Sequence, residues 1–198
     1  MFAELLRSKL AGISELSGVQ IDLLGRHYGL LTRWNKVLNL TSVCELEEAV
    51  ERHYCESIFV AAHLPPGDLS IADIGSGAGF PGFPIAVSRP DCQVTLIESH
   101  QRKAAFLKES SRQVANIRIL SKRAEDVSET FDWAVSRAVR IRDIAGVLKK
   151  LAGKVELLTG EVHPSGLPGF AWQDPIRLPW GEHRYLWVGS NVSRETEA

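Results

Sequence analysis

Little in this chain could staple it, anchor it or announce its chemistry. Its three cysteines, Cys44, Cys55 and Cys92, contain no C-x-x-C pair and cannot all pair with one another. They read as reduced thiols, and no metal site is expected from them. No apolar run approaches the ~20 residues of a membrane span. The first ten residues carry Glu4, Arg7 and Lys9 and lack the apolar core of a secretion signal. The expectation is a cytoplasmic monomer with no membrane contact. Repeats and low-complexity tracts are missing, and so is any recognisable acid–base dyad or nucleophile constellation.

Charge is also scarce in the sum but not in its distribution. The net charge of the 198 residues is −1. Residues 1–101 hold 7 Lys and Arg against 12 Asp and Glu, residues 102–154 hold 13 against 6, and residues 155–198 hold 3 against 6. A basic middle suits a phosphate-bearing substrate, although solvated helix faces give the same count. The 44% hydrophobic content suits one globular domain with a small appendage.

The most informative stretch is Ile71-Ala72-Asp73-Ile74-Gly75-Ser76-Gly77-Ala78-Gly79-Phe80-Pro81-Gly82. A short apolar run, an aspartate and a glycine-dense turn precede another apolar segment, the order of strand, tight loop and helix. Glycines remove Cβ atoms and let a ligand lie against bare backbone. Gly77 to Gly82 matches G-x-G-x-x-G, the dinucleotide fingerprint. In that fingerprint the first glycine ends the strand. Here Gly75 ends it, and counting from Gly75 puts Phe80 where the third glycine belongs. Asp-x-Gly-x-Gly-x-Gly fits better and resembles the first motif of Rossmann-like S-adenosylmethionine-dependent methyltransferases. A ligand-free βα turn is the bland alternative. Asp73, Gly75, Ser76, Gly77, Gly79 and Phe80 are the cofactor-binding candidates of this loop.

Around the loop, residues 3–63 read helical. Ile21, Leu24, Tyr28, Leu31, Trp34 and Leu38 form an amphipathic stripe, with Trp34 expected in the core. A second helix is expected from about Glu45 to His63, capped by Thr41 or Ser42. Asn35 and Asn39 read either as turn and capping residues or as site contacts. Pro65-Pro66-Gly67-Asp68 marks a break, so residues 1–66 are expected as a helical cap and 67–198 as an α/β core. From residue 70, strands alternate with helices, as in a parallel sheet with crossovers. Strands are expected at 70–74, 93–97, 117–120, 131–135 and 154–158. A final strand falls at 184–188, with one possible short strand inside the Pro- and Gly-rich loop 160–181. The fold class is α/β, with a mostly parallel, seven-stranded sheet.

In such sheets ligands bind at the carboxyl ends of the strands, and an acidic residue about 20 positions beyond the first glycine accepts the ribose hydroxyls. Glu98 closes the second strand 23 positions after Gly75, with Ser99 behind it. Arg123-Ala124-Glu125 follows the third strand, where an adenine ring is usually met. Arg123 and Arg137 both rise from the carboxyl edge, suited to a carboxylate, a phosphate or a guanine edge, or else simply surface arginines. With no base candidate, an acceptor that already owns a lone pair, such as a ring nitrogen, is favoured.

Taken together these motifs resemble the bacterial small-subunit rRNA guanine-N7 methyltransferases, also called glucose-inhibited division protein B. The resemblance spans about residues 20–150. It rests on Trp34-Asn35-x-x-x-Asn39-Leu40-Thr41, Arg52-His53-x-x-x-Ser57, the 73–82 loop, Thr95-Leu96-Ile97-Glu98-Ser99 with Lys103 and Phe106-Leu107, Arg123-Ala124-Glu125, and Phe131-Asp132-x-x-x-Ser136-Arg137-Ala138. It implies methylation of a guanine N7 in 16S rRNA of the small subunit from S-adenosylmethionine. Gly75, Phe80, Ala124, Glu125 and Arg137 would touch the cofactor. Arg123 and Arg137 would face substrate and cofactor, and Asn39 and His53 would line the acceptor side. Departures are Glu56 where the family tends to have Asp, Thr159 where it has Lys, and a late His183-Arg184 in reversed order. A small-molecule methyltransferase and a non-catalytic RNA- or cofactor-binding relative stay open as alternatives.

Overall fold

The computed structural model describes residues 1–43, 45–137, 141–160, 164, 167 and 169–192, the side chains of 141 and 142 excepted. Cys44 among the expected thiols, and Ala138 and Val139 after the fourth strand, lie outside them. Cys55 and Cys92 are free and buried.

The helical segment is α1 (Phe2–Leu10), α2 (Gly18–Leu38), α3 (Leu46–Ala49), a π-helical stretch (Val50–Cys55) and α4 (Glu56–His63). A capping box starts α2: Ser17 Oγ accepts from Gln20 N, and Gln20 Oε1 accepts from Ser17 N. Its buried face is Ile21, Leu24, His27, Leu30 and Leu31. Asn39, at φ 48°, ends it in the left-handed region. The expected cap of the second helix is corrected. Its N-cap is Glu45, with no side-chain cap bond; Thr41 is committed elsewhere. The π-helical stretch lies within an apolar stripe. Leu46, Val50, Tyr54 and Ile58 follow the four-residue step along it, and the last three are fully buried.

The core follows as β1 (Ser70–Ile74), α5 (Gly82–Ser88), β2 (Gln93–Ile97), α6 (Gln101–Ser110), β3 (Ile117–Leu120), a 3-10 turn (Ala124–Asp126), β4 (Phe131–Arg137), α7 (Ile141–Leu151), β5 (Ala152–Thr159), β6 (Phe170–Trp172), β7 (Ile176–Arg177) and β8 (Tyr185–Asn191). The sheet order is β3-β2-β1-β4-β5-β8-β6, parallel through β5 and antiparallel at β8. β6 pairs Ser190 and its neighbours while β7 pairs Leu186 and Tyr185, so the two lie end to end on one edge of β8. The expected seven positions are therefore filled by eight strands, the seventh interrupted where Pro175 has no N–H to give.

Cap and core share one apolar cluster, in which Leu6, Leu24, Tyr54 and Ile58 meet Ile71, Phe83, Leu96 and Phe106. A second cluster, on the other face, joins α7 to Ala72, Ala134, Val155 and Leu157. Trp34 packs edge-on against Phe106, ring centroids 5.7 Å apart. Arg89 pins the break at 65–68: its guanidinium donates to the carbonyls of Ala61, Leu64, Pro65 and Gly67 and pairs with Asp91 at 2.8 Å. Among the described residues no helix is long and apolar enough to cross a membrane, and no group of three or more His, Cys, Asp or Glu could hold a metal ion.

Glu156 sits in mid-sheet between Val135 and Val188, 1% exposed, with neither carboxylate oxygen hydrogen-bonded. Burial pushes its carboxyl from 4.5 up to about 8. A raised folded-state value means that its contribution to stability is greatest below pH 4.5 and is lost as pH rises through about 8, at about 1.4 kcal/mol per pH unit. Glu156→Leu is expected to be more stable than the unsubstituted protein, with the gap widening by roughly 4 kcal/mol between acid pH and pH 8, read by urea denaturation at both pH values.

Candidate active site

The loop after β1 takes its shape from outside itself. Gly75, Gly77 and Gly79 stand at φ 73°, 56° and 90°, where a side chain is strained. Gly75 N and Ser76 N donate to Ile97 O at 3.0 and 3.1 Å, tying the turn to the end of β2. Asp73, fully buried, accepts from Gly82 N at 2.9 Å, while its Oδ1 has no partner; burial pushes its carboxyl up to about 7. Glu98 accepts from Gly77 N at 2.9 Å through Oε2 and from His100 N at 2.7 Å through Oε1. A carboxylate has about four lone-pair positions, so acceptor capacity remains for a ligand.

The helical cap supplies the facing wall. A cleft of about 400 Å³ brings together Asn39, Thr41, His53, Gly75, Ser76, Gly77, Phe80 and Arg137. Arg137, at the end of β4, puts Nη2 2.8 Å from His53 Nδ1 and donates from Nη1 to the Arg52 carbonyl. Arginine only donates, so Nδ1 must accept, and His53 is the neutral tautomer with its proton on Nε2. That proton points to Thr41 Oγ1, 2.8 Å away. Burial first, then the Arg137 and Arg52 charges, hold the imidazole down to about 3. His53 also stacks on Phe80, centroids 4.5 Å apart and 17° between planes.

Glu56 is 1% exposed beneath this layer, with Oε2 2.6 Å from Arg184 Nη2 and 3.9 Å from Arg137 Nη1. Its own burial raises its pKa, and the two arginines oppose that rise. Burial pulls Arg137 down to about 10, so it stays charged at neutral pH.

Not every expected residue meets in the cleft. Gly79 is turned to the protein interior: a Cβ there would lie 3.2–3.3 Å from Phe83, His27 and Leu107. Ser99 is exposed behind Glu98, and Ala124 and Glu125 form the 3-10 turn beyond β3. Arg123 is exposed after β3, and β2 and β1 stand between its strand and that of Arg137. At ~4.8 Å per strand the two arginines do not converge. Four residues that were not among the site candidates matter here. His27 Nε2 donates to Ala78 O at 3.1 Å, and its Nδ1 accepts from Tyr54 Oη at 2.8 Å. Its signal was a polar side chain on the apolar stripe of α2. Thr41, Glu56 and Gly82 are the others.

Gly82 is bound by contact as much as by its N–H. A Cβ there would lie 2.4 Å from Leu96 Cδ2 and 2.6 Å from Asp73 Oδ2. Gly82→Ala is expected to cost ~1–3 kcal/mol in thermal unfolding. Gly29→Ala on α2, where nothing lies within 4 Å, is expected to stabilise by about 0.5–1 kcal/mol.

Comparison with known proteins follows the same lines. The chain is 37% identical over 169 residues to a ribosomal RNA small subunit methyltransferase G of Xanthomonas campestris, covering 73% of this chain and 79% of that one. It is 42% identical over 141 residues to the protein of that name in Nitrosomonas europaea, covering 67% and 64%. Among solved structures it is similar to magnesium protoporphyrin IX methyltransferase from Synechocystis with bound S-adenosylmethionine, at TM-score 0.60 and 12% identity, covering 84% of this chain and 97% of that one. It is also similar to the Methanococcus jannaschii fibrillarin pre-rRNA processing protein, at TM-score 0.52 and 17% identity, covering 64% and 68%. These structural likenesses show the class I methyltransferase fold. The model of the rRNA small subunit methyltransferase G family matches residues 20–160, and the chain belongs to that family.

Proposed function

We propose that this protein transfers a methyl group from S-adenosylmethionine to N7 of a guanine in 16S rRNA. The observation that carries the reading is the locked state of His53. Its Nδ1 is occupied by Arg137 and its Nε2 is already protonated. It can take no proton from an acceptor, so the cleft suits an acceptor with its own lone pair. Guanine N7 is such an atom. Membership of a family named for the small-subunit rRNA supports the substrate.

The residues present fit the cofactor. Gly75 and Gly77 offer backbone with no Cβ, a Cβ at Gly77 would meet nothing closer than 3.8 Å, and Ser76 between them turns its hydroxyl back to the Asp73 carbonyl. Glu98 keeps acceptor capacity for ribose hydroxyls, with Ser99, Ala124 and Glu125 next along the same edge. Phe80 closes the cleft against His53. Bound S-adenosylmethionine supplies an electrophilic methyl on a sulfonium. Asp73, Gly79 and Gly82 act indirectly, by holding the loop. Asn39 and His53 shape the acceptor side, and Arg137 positions His53 rather than exchanging protons. Arg123 joins Arg102, Lys108 and Arg112 as exposed cations suited to RNA phosphates. On this reading the protein works in the cytoplasm as a monomer and uses no metal ion.

The test is transfer of labelled methyl to small ribosomal subunits from a strain lacking the gene, followed by nucleoside analysis. N7-methylguanine is expected. Transfer to a metabolite but not to subunits, or cofactor binding without transfer, would replace the reading. Arg137→Ala, which frees His53 and leaves Glu56 with Arg184 alone, is expected to lower transfer ~100-fold. Glu98→Ala is expected to weaken S-adenosylmethionine binding at least about tenfold by calorimetry.

A further inference from the structure

Thr41 is the end of a chain of hydrogen bonds whose direction is fixed. Its backbone is clamped by Asn35, which accepts from Thr41 N and donates to Thr41 O, each at 2.9 Å. Its Oγ1 receives two donors, His53 Nε2 at 2.8 Å and Val43 N at 3.1 Å. A hydroxyl has two lone pairs and one proton. Both lone pairs are therefore used, and the proton must be given away. Among the described residues no further acceptor stands within hydrogen-bond distance of Oγ1. Thr41 lines the cleft between the glycine loop and the cap, so the donor is offered to whatever occupies it.

On guanine, N7 and O6 are adjacent acceptors on one edge. Adenine carries an N6–H2 donor where guanine has O6. We propose that the Thr41 hydroxyl donates a hydrogen bond to O6 of the target guanine, and that Arg137, acting through His53, fixes the polarity of that bond. The inference rests on the reading that the acceptor is a guanine N7. Thr41 is then a specificity-determining residue: a donor meets an acceptor on guanine and another donor on adenine. Were the His53 proton on Nδ1, Thr41 would donate to Nε2 and no donor would be left for the base. Arg137 forbids that state.

Two measurements separate the parts. Nitrogen-15 spectra of the His53 ring are expected to show Nε2 protonated and Nδ1 bare, with no titration between about pH 5 and about pH 8; an Nδ1–H ring would overturn the chain. In methyl transfer to small subunits, Thr41→Val is expected to lower kcat/KM for the RNA about tenfold, and Thr41→Ser to stay within about twofold of the unsubstituted protein. Affinity for S-adenosylmethionine, by calorimetry, is expected to be unchanged in both. Full kcat/KM in Thr41→Val overturns the proposal. So does a loss confined to cofactor affinity, which would assign the hydroxyl to the cofactor. RNA with 2-aminopurine, which lacks O6, at the target position is expected to lose the same factor with the unsubstituted protein, independently of whether Thr41→Val folds. Undiminished transfer to that RNA overturns the proposal. If the unsubstituted protein methylates no subunits at all, the guanine reading fails and O6 with it, while the ring spectrum still decides the donor chain.

Discussion

The hydrogen bond from His27 to the Ala78 carbonyl is the contact through which the helical cap sets the glycine loop. Three glycines in left-handed conformations make a loop with high conformational entropy when unfolded. Asp73 holds its far end at Gly82 and Glu98 holds its middle at Gly77. His27 holds the side facing the cap, buried between Phe83, Phe80 and Phe106. Burial keeps this imidazole neutral, down to about 3, which leaves it one donor and one acceptor, and both are used. The cap is thus part of the site's framework, not a lid laid upon it.

Below the cleft the same economy of partners recurs in charged form. Glu56 would be untenable in so buried a place without Arg137 and Arg184, because an unpaired buried carboxylate costs several kcal/mol. The departures from the family pattern bear on this pair. The longer Glu at 56 reaches Arg184, so the late arginine of this chain is turned inward and serves the protein's own interior. Arg137, shared between Glu56 and His53, couples the buried pair to the face of the cleft.

Much of this could be read from residue order. Apolar runs cut by glycine and proline placed the strands, and counting from Gly75 identified the loop. The sheet edge expected for Glu98 follows from the period alone. What stayed hidden depends on contacts between distant segments. The hydroxyl of Thr41 looks like a helix cap until His53, 12 residues on, arrives beside it. Arg123 and Arg137 look like a pair along the chain, but strand order separates them. The split seventh strand shows only in the pairing, where β7 meets β8 one residue out of register with β6. The π turn at Val50–Cys55 was not legible, because a four-residue apolar spacing reads as an ordinary helix.

The Arg89 clamp has a mechanical consequence. It gathers four carbonyls from the cap's exit and fastens them to the end of α5, while the apolar cluster runs through both parts without a seam. The helical segment and the sheet core are therefore joined by both polar and apolar contacts. A base in folded RNA reaches a cleft walled in this way only after leaving its neighbours. A nucleotide has to leave its stack, and RNA in which that nucleotide is already unpaired presents the lower barrier.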